Sequence, residues 1–314
     1  MAELPAVGNP APTPRAAHCV RARFAVLLLL IPAAAGAQEL EPRALTNVPV
    51  GTNFVLLGYG YATGNTLLDP SVPVEDLNSR VHSLLGAYVR SISLFGLSSK
   101  LDVVVPFASG DWKGQLEGVD TSRAVTGMGD PRVRLSLNFV GAPALRGAEF
   151  REYRQKTIVG TSLQVFVPLG QYDPSKLINL GTNRWTVRAQ LGASHRVGPW
   201  FLEGYVSGWF FTANSDFYGG VRRTQHPLFG FKLHFIRSLG RRVWIGIEGG
   251  YGVGGRSVID GVETDTQIST FRFGATGAWR VAARHTLRLI LGSGARVLRG
   301  SDFEAVSLLY QYRW

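Results

Sequence analysis

Cysteine is almost absent from this 314-residue chain, whose one cysteine, Cys19, precedes the first apolar run. A disulfide framework is therefore excluded, and thiol chemistry is excluded too once the export signal described below is removed. No apolar run reaches the roughly 18 to 20 residues that a helix needs to cross a bilayer, which excludes a helical membrane protein. Charged residues are scarce, at 18% against 45% hydrophobic residues, so the chain is too apolar to stay disordered.

The short motifs of enzymes are also missing. The sequence contains no H-E-x-x-H, paired-cysteine or P-loop pattern, which excludes the commonest zinc and phosphate sites. Ser194 and His195 are adjacent, but neighbours on a strand project to opposite faces and cannot form a nucleophile and base. Asp260, Glu263 and Asp265 are interpreted as solvated loop acids, with calcium binding as the alternative. The sequence therefore predicts no catalytic residue, no metal site and no cofactor.

An export signal is predicted over residues 1–37. Three arginines precede the apolar run Phe24–Ile31, and small residues ending at Ala37 follow it. A basic region, a short apolar run and a small-residue cleavage site are together typical of a secretory signal peptide. Residues 38–52 are then predicted to form an N-terminal periplasmic segment.

The rest of the chain is dominated by segments in which apolar and polar residues alternate. The last segment is the clearest example. Its apolar residues point one way and its more polar residues the other: Val306, Leu308, Tyr310, Tyr312 and Trp314 against Ser307, Leu309, Gln311 and Arg313. A transmembrane β-barrel needs strands with one apolar face and one wet face, because lipid lies outside and water inside.

Twelve such strands are predicted, and residues 53–314 are assigned to the barrel. The strands cover residues 53–62, 80–94, 100–108, 129–140, 157–167, 184–195, 200–212, 227–238, 243–254, 268–281, 286–298 and 303–314. Short turns alternate with long loops, and one long turn, residues 141–156, is predicted to hold a short helix. This alternation is typical of an outer-membrane barrel. The predicted fold is all-β: a closed antiparallel up-and-down transmembrane barrel in the outer membrane of a Gram-negative bacterium.

Aromatic residues end the chain on one strand face, at Tyr310, Tyr312 and Trp314. A final aromatic on an amphipathic strand is similar to the signal that bacterial barrels present to the barrel assembly machinery. The same rings are predicted to lie at the membrane interface, half in lipid and half in water. Outer-membrane lipid and the assembly machinery are therefore predicted partners.

The face predicted to line the lumen is strongly basic. Its cations are Arg90, Arg132, Arg134, Arg184, Arg188, Lys232, Arg272, Arg280, Arg288, Arg296 and Arg313, and its acids are Asp102, Glu203 and Glu248. Unpaired cations in a confined pore favour anionic solutes, although a wet lumen could also simply tolerate arginine. The residues predicted to line the solute pathway are Arg134, Arg188, Lys232, Arg272 and Arg288, with Glu203 and Glu248 as counter-charges. Nucleic acid is not a predicted partner, because the basic residues are not clustered.

One strand carries aromatics on both faces, so its orientation stays open. If Glu203 faces inward, then Phe201, Tyr205, Trp209 and Phe211 line part of the lumen and suit an aromatic solute. If the strand is turned the other way, the same rings are ordinary lipid-facing aromatics. The orientation of residues 53–62 is open for the same reason.

Several loop and strand-end motifs resemble a known family. They are Gly127-Met-Gly-Asp-Pro131, Pro168-Leu-Gly-Gln-Tyr172, Ile178-Asn-Leu-Gly-Thr-Asn-Arg-Trp185, Phe210-Phe-Thr-Ala-Asn-Ser-Asp-Phe217 and Gly254-Gly-Arg-Ser-Val-Ile-Asp-Gly261. The resemblance is to the MetA-pathway of phenol degradation family, and it implies an outer-membrane, porin-like channel for aromatic compounds. The predicted function is passive uptake of a small organic solute, aromatic or anionic. The alternatives are a barrel enzyme of the lipase or protease type and a structural or adhesive protein without transport.

Overall fold

The computed structural model describes residues 41–66, 75–116, 118–296 and 302–314. The predicted signal peptide lies outside the described residues. Within these ranges no helix is long and apolar enough to cross a membrane. The α-helix α1 covers Gly147–Glu152, inside the turn for which the sequence predicts a short helix.

Strands make up most of the described chain. In chain order they are β1 (Asn53–Gly64), β2 (Glu75–Leu94), β3 (Leu97–Leu116), β4 (Val119–Met128), β5 (Arg132–Val140), β6 (Thr157–Phe166), β7 (Thr186–Val197), β8 (Trp200–Phe211), β9 (Asn214–Phe217), β10 (Val221–Gln225), β11 (Leu228–Leu239), β12 (Val243–Gly254), β13 (Ser257–Ile259), β14 (Val262–Glu263), β15 (Ile268–Ala282), β16 (His285–Arg296) and β17 (Phe303–Arg313).

Twelve of these strands, β1–β3, β5–β8, β11, β12 and β15–β17, form a closed antiparallel barrel. Each pairs with its neighbours along the chain. Closure is made by β1, which pairs with β17 on one side and β2 on the other. The predicted fold class and strand number are confirmed.

The barrel wall is taller on one side than the sequence predicts. Residues 109–128, predicted as a loop, instead form a hairpin in which β3 pairs with β4 from Phe107↔Met128 to Leu116↔Val119. Most of β4 is exposed, so it lacks the apolar alternation that would indicate a strand. The next strand begins at Arg132 and not at residue 129, because Pro131 has no N–H to donate to a ladder.

The two ends of the barrel differ in their connections. At one end the turns are short, and Phe95 and Gly96 have the positive φ angles, 53° and 74°, that two-residue hairpin turns favour. Both the start of β1 and the end of β17 lie at this end, since Asn53 and Trp314 exchange backbone hydrogen bonds of 2.9 and 3.1 Å. The long connections lie at the other end and include a small sheet of β9, β10, β13 and β14.

The outer face of the barrel is a band of apolar side chains. In β8, Leu202 and Val206 are exposed, whereas the alternate residues Phe201, Glu203 and Tyr205 are buried. The same alternation runs through the neighbouring strands, so exposed apolar residues form one continuous surface. A continuous apolar surface of this size is suited to hydrocarbon, not to water.

Strand orientations follow from which residues are exposed. In β1, Leu57 and Tyr59 point outward, which answers the question left open by the sequence. In β2, Arg90 is exposed and lies six residues after the outward-facing Leu84, so both side chains lie on the same strand face. The prediction that Arg90 faces the lumen is therefore wrong. Arg90 lies near the short-turn end of β2, where its long side chain can reach the headgroup level.

Candidate functional site in the barrel lumen

The inner face of the barrel brings charged side chains together in a buried layer. The structure places these predicted pathway residues on this face: Arg134, Arg188, Glu203, Lys232, Glu248, Arg272 and Arg288. Their strand neighbours Leu135, Leu233 and Leu289 are exposed on the outer face, which fixes the direction of each strand. Other predicted lumen cations bond backbone carbonyls of short turns, Arg280 that of Arg241 and Arg313 that of Ala283. The side chain of Arg296 lies outside the described residues.

Arg134 is held between two acids. Its Nε donates to Asp102 Oδ2 on β3 at 2.8 Å, and its Nη1 forms a hydrogen-bonded ion pair with Glu41. Arg132 Nη2 lies 3.8 Å from the other carboxylate oxygen of Glu41. Asp102 is part of the wall, whereas Glu41 belongs to the segment that precedes β1. The lumen layer therefore includes a charged residue from outside the barrel strands.

Glu203 is held by neutral donors. It accepts hydrogen bonds from Ser194 Oγ and Tyr205 OH, each at 2.9 Å, and from the backbone N–H of Arg43 at 2.8 Å. Ser194 is fully buried, while His195 is exposed on the opposite face of β7. The adjacent serine and histidine therefore point apart, as the strand pattern predicts.

Glu248 forms a second small network on the inner face. It accepts a hydrogen bond from the hydroxyl of Thr276, and one of its oxygens lies 3.4 Å from His234 Nδ1. The His234 ring also packs edge-on against Tyr205, with 5.4 Å between ring centroids. These contacts link β8, β11, β12 and β15 across the interior.

The predicted aromatic lining lies inside the barrel and is covered by arginine. Phe201, Tyr205 and Trp209 are buried on the inner face of β8, and Phe211 is partly buried. The guanidinium of Arg188 lies 4.8 Å from the Trp209 ring centroid, that of Arg184 lies 4.4 Å from Phe211, and that of Arg43 lies 4.0 Å from Phe201. Cation and ring stack favourably at these distances. The lumen thus presents mixed guanidinium and aromatic surface.

Residues 41–47 run inside the barrel, although the sequence predicts residues 38–52 as periplasmic. Lys100 Nζ donates to the carbonyl of Ala44 at 2.6 Å, and Asn138 donates to that of Leu45 at 2.9 Å. The Leu45 side chain is buried in an apolar cluster that includes Ile158 of β6. We name residues 41–47 the luminal segment.

A small cavity lies beside this segment. It is partly open and has a volume of about 10 Å³, which is room for about one water molecule. Its lining residues are Glu41, Ala44, Arg188, Gln190, Tyr205, Lys232 and His234. A space of this size, bordered by the Glu41 carboxylate, two cations, an amide, a phenol and an imidazole, can accommodate one water-sized polar group.

The loop of residues 167–185 is fastened to the wall by Asp130. One carboxylate oxygen accepts the backbone N–H of Gly170 at 2.9 Å, and the other accepts both the N–H and the hydroxyl of Thr182, at 2.9 and 2.7 Å. The two arms of the loop meet so closely that a Cβ on Gly181 would lie 2.6 Å from the carbonyl oxygen of Gly170. The family motifs around these residues therefore form one structural clasp.

Within the loop, Asp173 is fixed by its neighbours. Its Oδ1 accepts the hydroxyl of Ser175 at 2.7 Å and the backbone N–H of Ser175 at 2.9 Å. These hydrogen bonds to the charged form lower the pKa of Asp173. Asn179 Oδ1 accepts the backbone N–H of Asp173, and its amide donates back to the Asp173 carbonyl. The loop is thus ordered by its own polar residues as well as by the clasp.

The clasped loop places apolar side chains against the inside of the tall wall. Leu180 is buried in a cluster with Trp112, Val81 and Phe303, and Ile178 packs against the same cluster. The indole N–H of Trp112 donates to the Thr66 carbonyl at 2.7 Å, which satisfies its polar atom. An apolar layer therefore lies toward the long-loop end, beyond the charged layer.

Replacing Asp130 with alanine is expected to release the loop. The variant loses three hydrogen bonds to a carboxylate, each worth roughly 1.5 to 3 kcal/mol, and leaves two backbone N–H groups without their acceptor. Trypsin should then cut at the exposed Lys176 much faster than in the unchanged protein. Asp120→Ala at the β3–β4 hairpin is the matched control and should leave the rate unchanged. Equal cleavage of both variants would show that the clasp does not hold the loop.

The C-terminal residues lie at the short-turn end. Tyr312 and Trp314 stack with 5.6 Å between centroids, and Tyr310 OH lies 2.6 Å from His285 Nδ1. Trp314 is about half exposed. This position agrees with an interfacial site for the aromatic rings, while recognition by the assembly machinery stays a prediction. In the described part of the chain, no group of three or more His, Cys, Asp or Glu residues is arranged to hold a metal ion.

Together, the closed barrel, its apolar outer band and its charged interior define an outer-membrane-type β-barrel with a cationic lumen. The chain belongs to the family described as putative MetA-pathway of phenol degradation, whose model matches residues 62–297. The resemblance found in the loop motifs is thereby confirmed. No curated protein sequence matches the chain.

Solved structures share the fold. An outer membrane channel from Pseudomonas putida F1 is 22% identical, with a TM-score of 0.73 over 88% of this chain and 100% of that chain. The transport unit of the autotransporter AIDA-I from Escherichia coli is 10% identical, with a TM-score of 0.51 over 88% of this chain and 92% of that one. The beta domain of the Bordetella autotransporter BrkA is 11% identical, with a TM-score of 0.50 over 84% and 100%. At these identities the likeness concerns the fold alone.

Proposed function

We propose that this protein is an outer-membrane channel through which small organic anions, aromatic carboxylates in particular, pass down their concentration gradient. The observation that carries the proposal is the cationic layer of the inner face: Arg188 and Lys232 line the small cavity, and Arg134 pairs with Glu41, which also lines it. A low-dielectric wall strengthens the field of such a layer, so anions are concentrated inside and cations are repelled.

The aromatic surface supports the choice of solute. The guanidinium groups of Arg188 and Arg184 lie over Trp209 and Phe211, so a flat ring entering the lumen meets planar cations on which it can stack. A neutral phenol uses only the stacking surface. An aromatic carboxylate uses both the stacking surface and the positive charge, because guanidinium groups bind carboxylates through paired N–H donors.

A narrow passage fits the dimensions of the barrel. Interiors of about eight strands are filled by side chains, and those of about 16 to 18 strands leave an open aqueous channel. With twelve strands, the luminal segment and the clasped loop both occupy interior space. Selective passage of single small solutes therefore agrees better with the structure than general sieving.

Catalysis is the less favoured alternative. The Ser194 hydroxyl donates to Glu203 inside the barrel, whereas His195 on the outside contacts Thr157. A hydrolase that used Ser194 as nucleophile and His195 as base would need the two within hydrogen-bond reach of each other.

Two transport measurements test the proposal. In planar bilayers, the purified protein is expected to conduct with anion preference; a silent bilayer, or cation preference, would overturn it. In liposome swelling, benzoate is expected to enter faster than phenol and faster than a neutral sugar of similar size. Equal entry rates for benzoate and the sugar would contradict the assigned solute class, but the protein would still be a channel.

A further inference from the structure

The carboxylate of Glu41 is positioned as a solute carboxylate would be. It forms an ion pair with Arg134 and lies 3.8 Å from Arg132, which gives it two guanidinium partners from β5. The same side chain borders the cavity that Arg188 of β7 and Lys232 of β11 also line. Four cations from three strands therefore surround one carboxylate.

The other acid at this site differs from Glu41 in how it is held. Asp102 is buried within β3, and its ion pair with Arg134 joins neighbouring strands. Glu41 lies outside the barrel strands, so the hydrogen-bonded wall does not fix its position. If the Glu41 side chain moves away, Arg134 keeps Asp102 as a partner, and Arg188 and Lys232 still line the cavity.

The luminal segment is fastened a few residues after Glu41. The contacts are those of the Ala44 and Leu45 carbonyls with Lys100 and Asn138, together with the buried Leu45 side chain. Glu41 is therefore tethered within reach of the cationic site, and moving its side chain away breaks no strand pairing. A tethered group competes at an effective concentration in the millimolar range.

We infer that Glu41 is an internal competitor that occupies the carboxylate-binding site of the lumen. The site consists of Arg132, Arg134, Arg188 and Lys232, and its ligand class is a small carboxylate. A solute binds by displacing Glu41, so the segment sets the concentration at which solutes load. The effect of Glu41 on transport rests on the proposed channel function, whereas the competition itself is measured as binding.

The test measures benzoate binding to the detergent-solubilised protein by calorimetry, which does not depend on conduction. If Glu41 leaves the site vacant about a tenth of the time, benzoate binds about tenfold more weakly than it would to a vacant site. Glu41→Gln removes the competing carboxylate and is therefore expected to lower the benzoate dissociation constant about tenfold. Glu41→Asp, with a shorter charged side chain, is expected to have an intermediate effect. Glu152→Gln, which removes an exposed acid of α1, is the matched control and should change nothing.

The outcomes separate the two proposals. An unchanged or higher benzoate dissociation constant in both Glu41 variants would overturn the internal competitor, whatever the bilayer shows. A silent bilayer together with tighter benzoate binding by Glu41→Gln would overturn the channel and keep the competitor. Retention of the folded barrel by each variant is checked by its heat-modifiable migration in gels.

Discussion

Replacing Arg188 and Arg272 together with glutamate is expected to turn an anion-preferring channel toward cations. Both side chains are buried on the inner face, on β7 and β15. One charge acts on a permeating ion about 8 Å away with about 2 kcal/mol at an effective dielectric constant of about 20. The double substitution changes the lumen charge by four units, so a shift of at least tenfold in the anion-to-cation permeability ratio is expected.

The reversal potential in a salt gradient measures this ratio. Arg151→Glu with Arg154→Glu is the matched control, because it makes the same change of charge on exposed residues in and beside α1. That control should shift the ratio little, since exposed charges are screened by salt. If both pairs give the same reversal potential as the unchanged protein, Arg188 and Arg272 do not act on the permeation path.

Replacing Ile247 with arginine is expected to destabilise the barrel strongly. Ile247 lies near the middle of β12 and is 64% exposed. Arginine at the midplane of a bilayer costs a barrel about 2 to 4 kcal/mol. Equilibrium unfolding in denaturant from lipid vesicles measures this loss directly.

Val262 provides a control with nearly equal exposure. It lies in β14, in the small sheet of the long loops, and is 69% exposed. Its replacement with arginine should change the free energy of unfolding by less than about 0.5 kcal/mol, as expected for a residue facing water. Equal stability of the two variants would mean that the apolar band does not contact hydrocarbon.

The strands could be predicted because the outer and inner faces of the barrel carry different kinds of residue, which alternate along each strand. That alternation is absent from β4, which is exposed along most of its length, and there the prediction of a loop was wrong. The clasp was also unpredictable in detail. Asp130 and Thr182 are far apart in the sequence, and only the folded loop brings the carboxylate to its donors.

The candidate site was predicted in part. Strand parity was enough to place Arg188 and Glu203 on the inner face, since a side chain's direction repeats every two residues. The same rule could not find Glu41, because the luminal segment is not a strand and has no periodicity. Of the partners of Glu203, Tyr205 lies two residues further along the same strand and could be placed on the same face, whereas Ser194 lies on the neighbouring strand and is found only when the register is known.

The seam between β1 and β17 also has a consequence for assembly. The barrel closes between β1 and β17, which are the first and last strands of the sequence. This pairing can therefore form only after the whole chain has been synthesised. Until β1 and β17 pair, each has an edge of unpaired backbone N–H and C=O groups, which can pair with strands of other chains. Folding of this protein should accordingly be slow, because the pairing that closes the barrel joins strands far apart in the sequence.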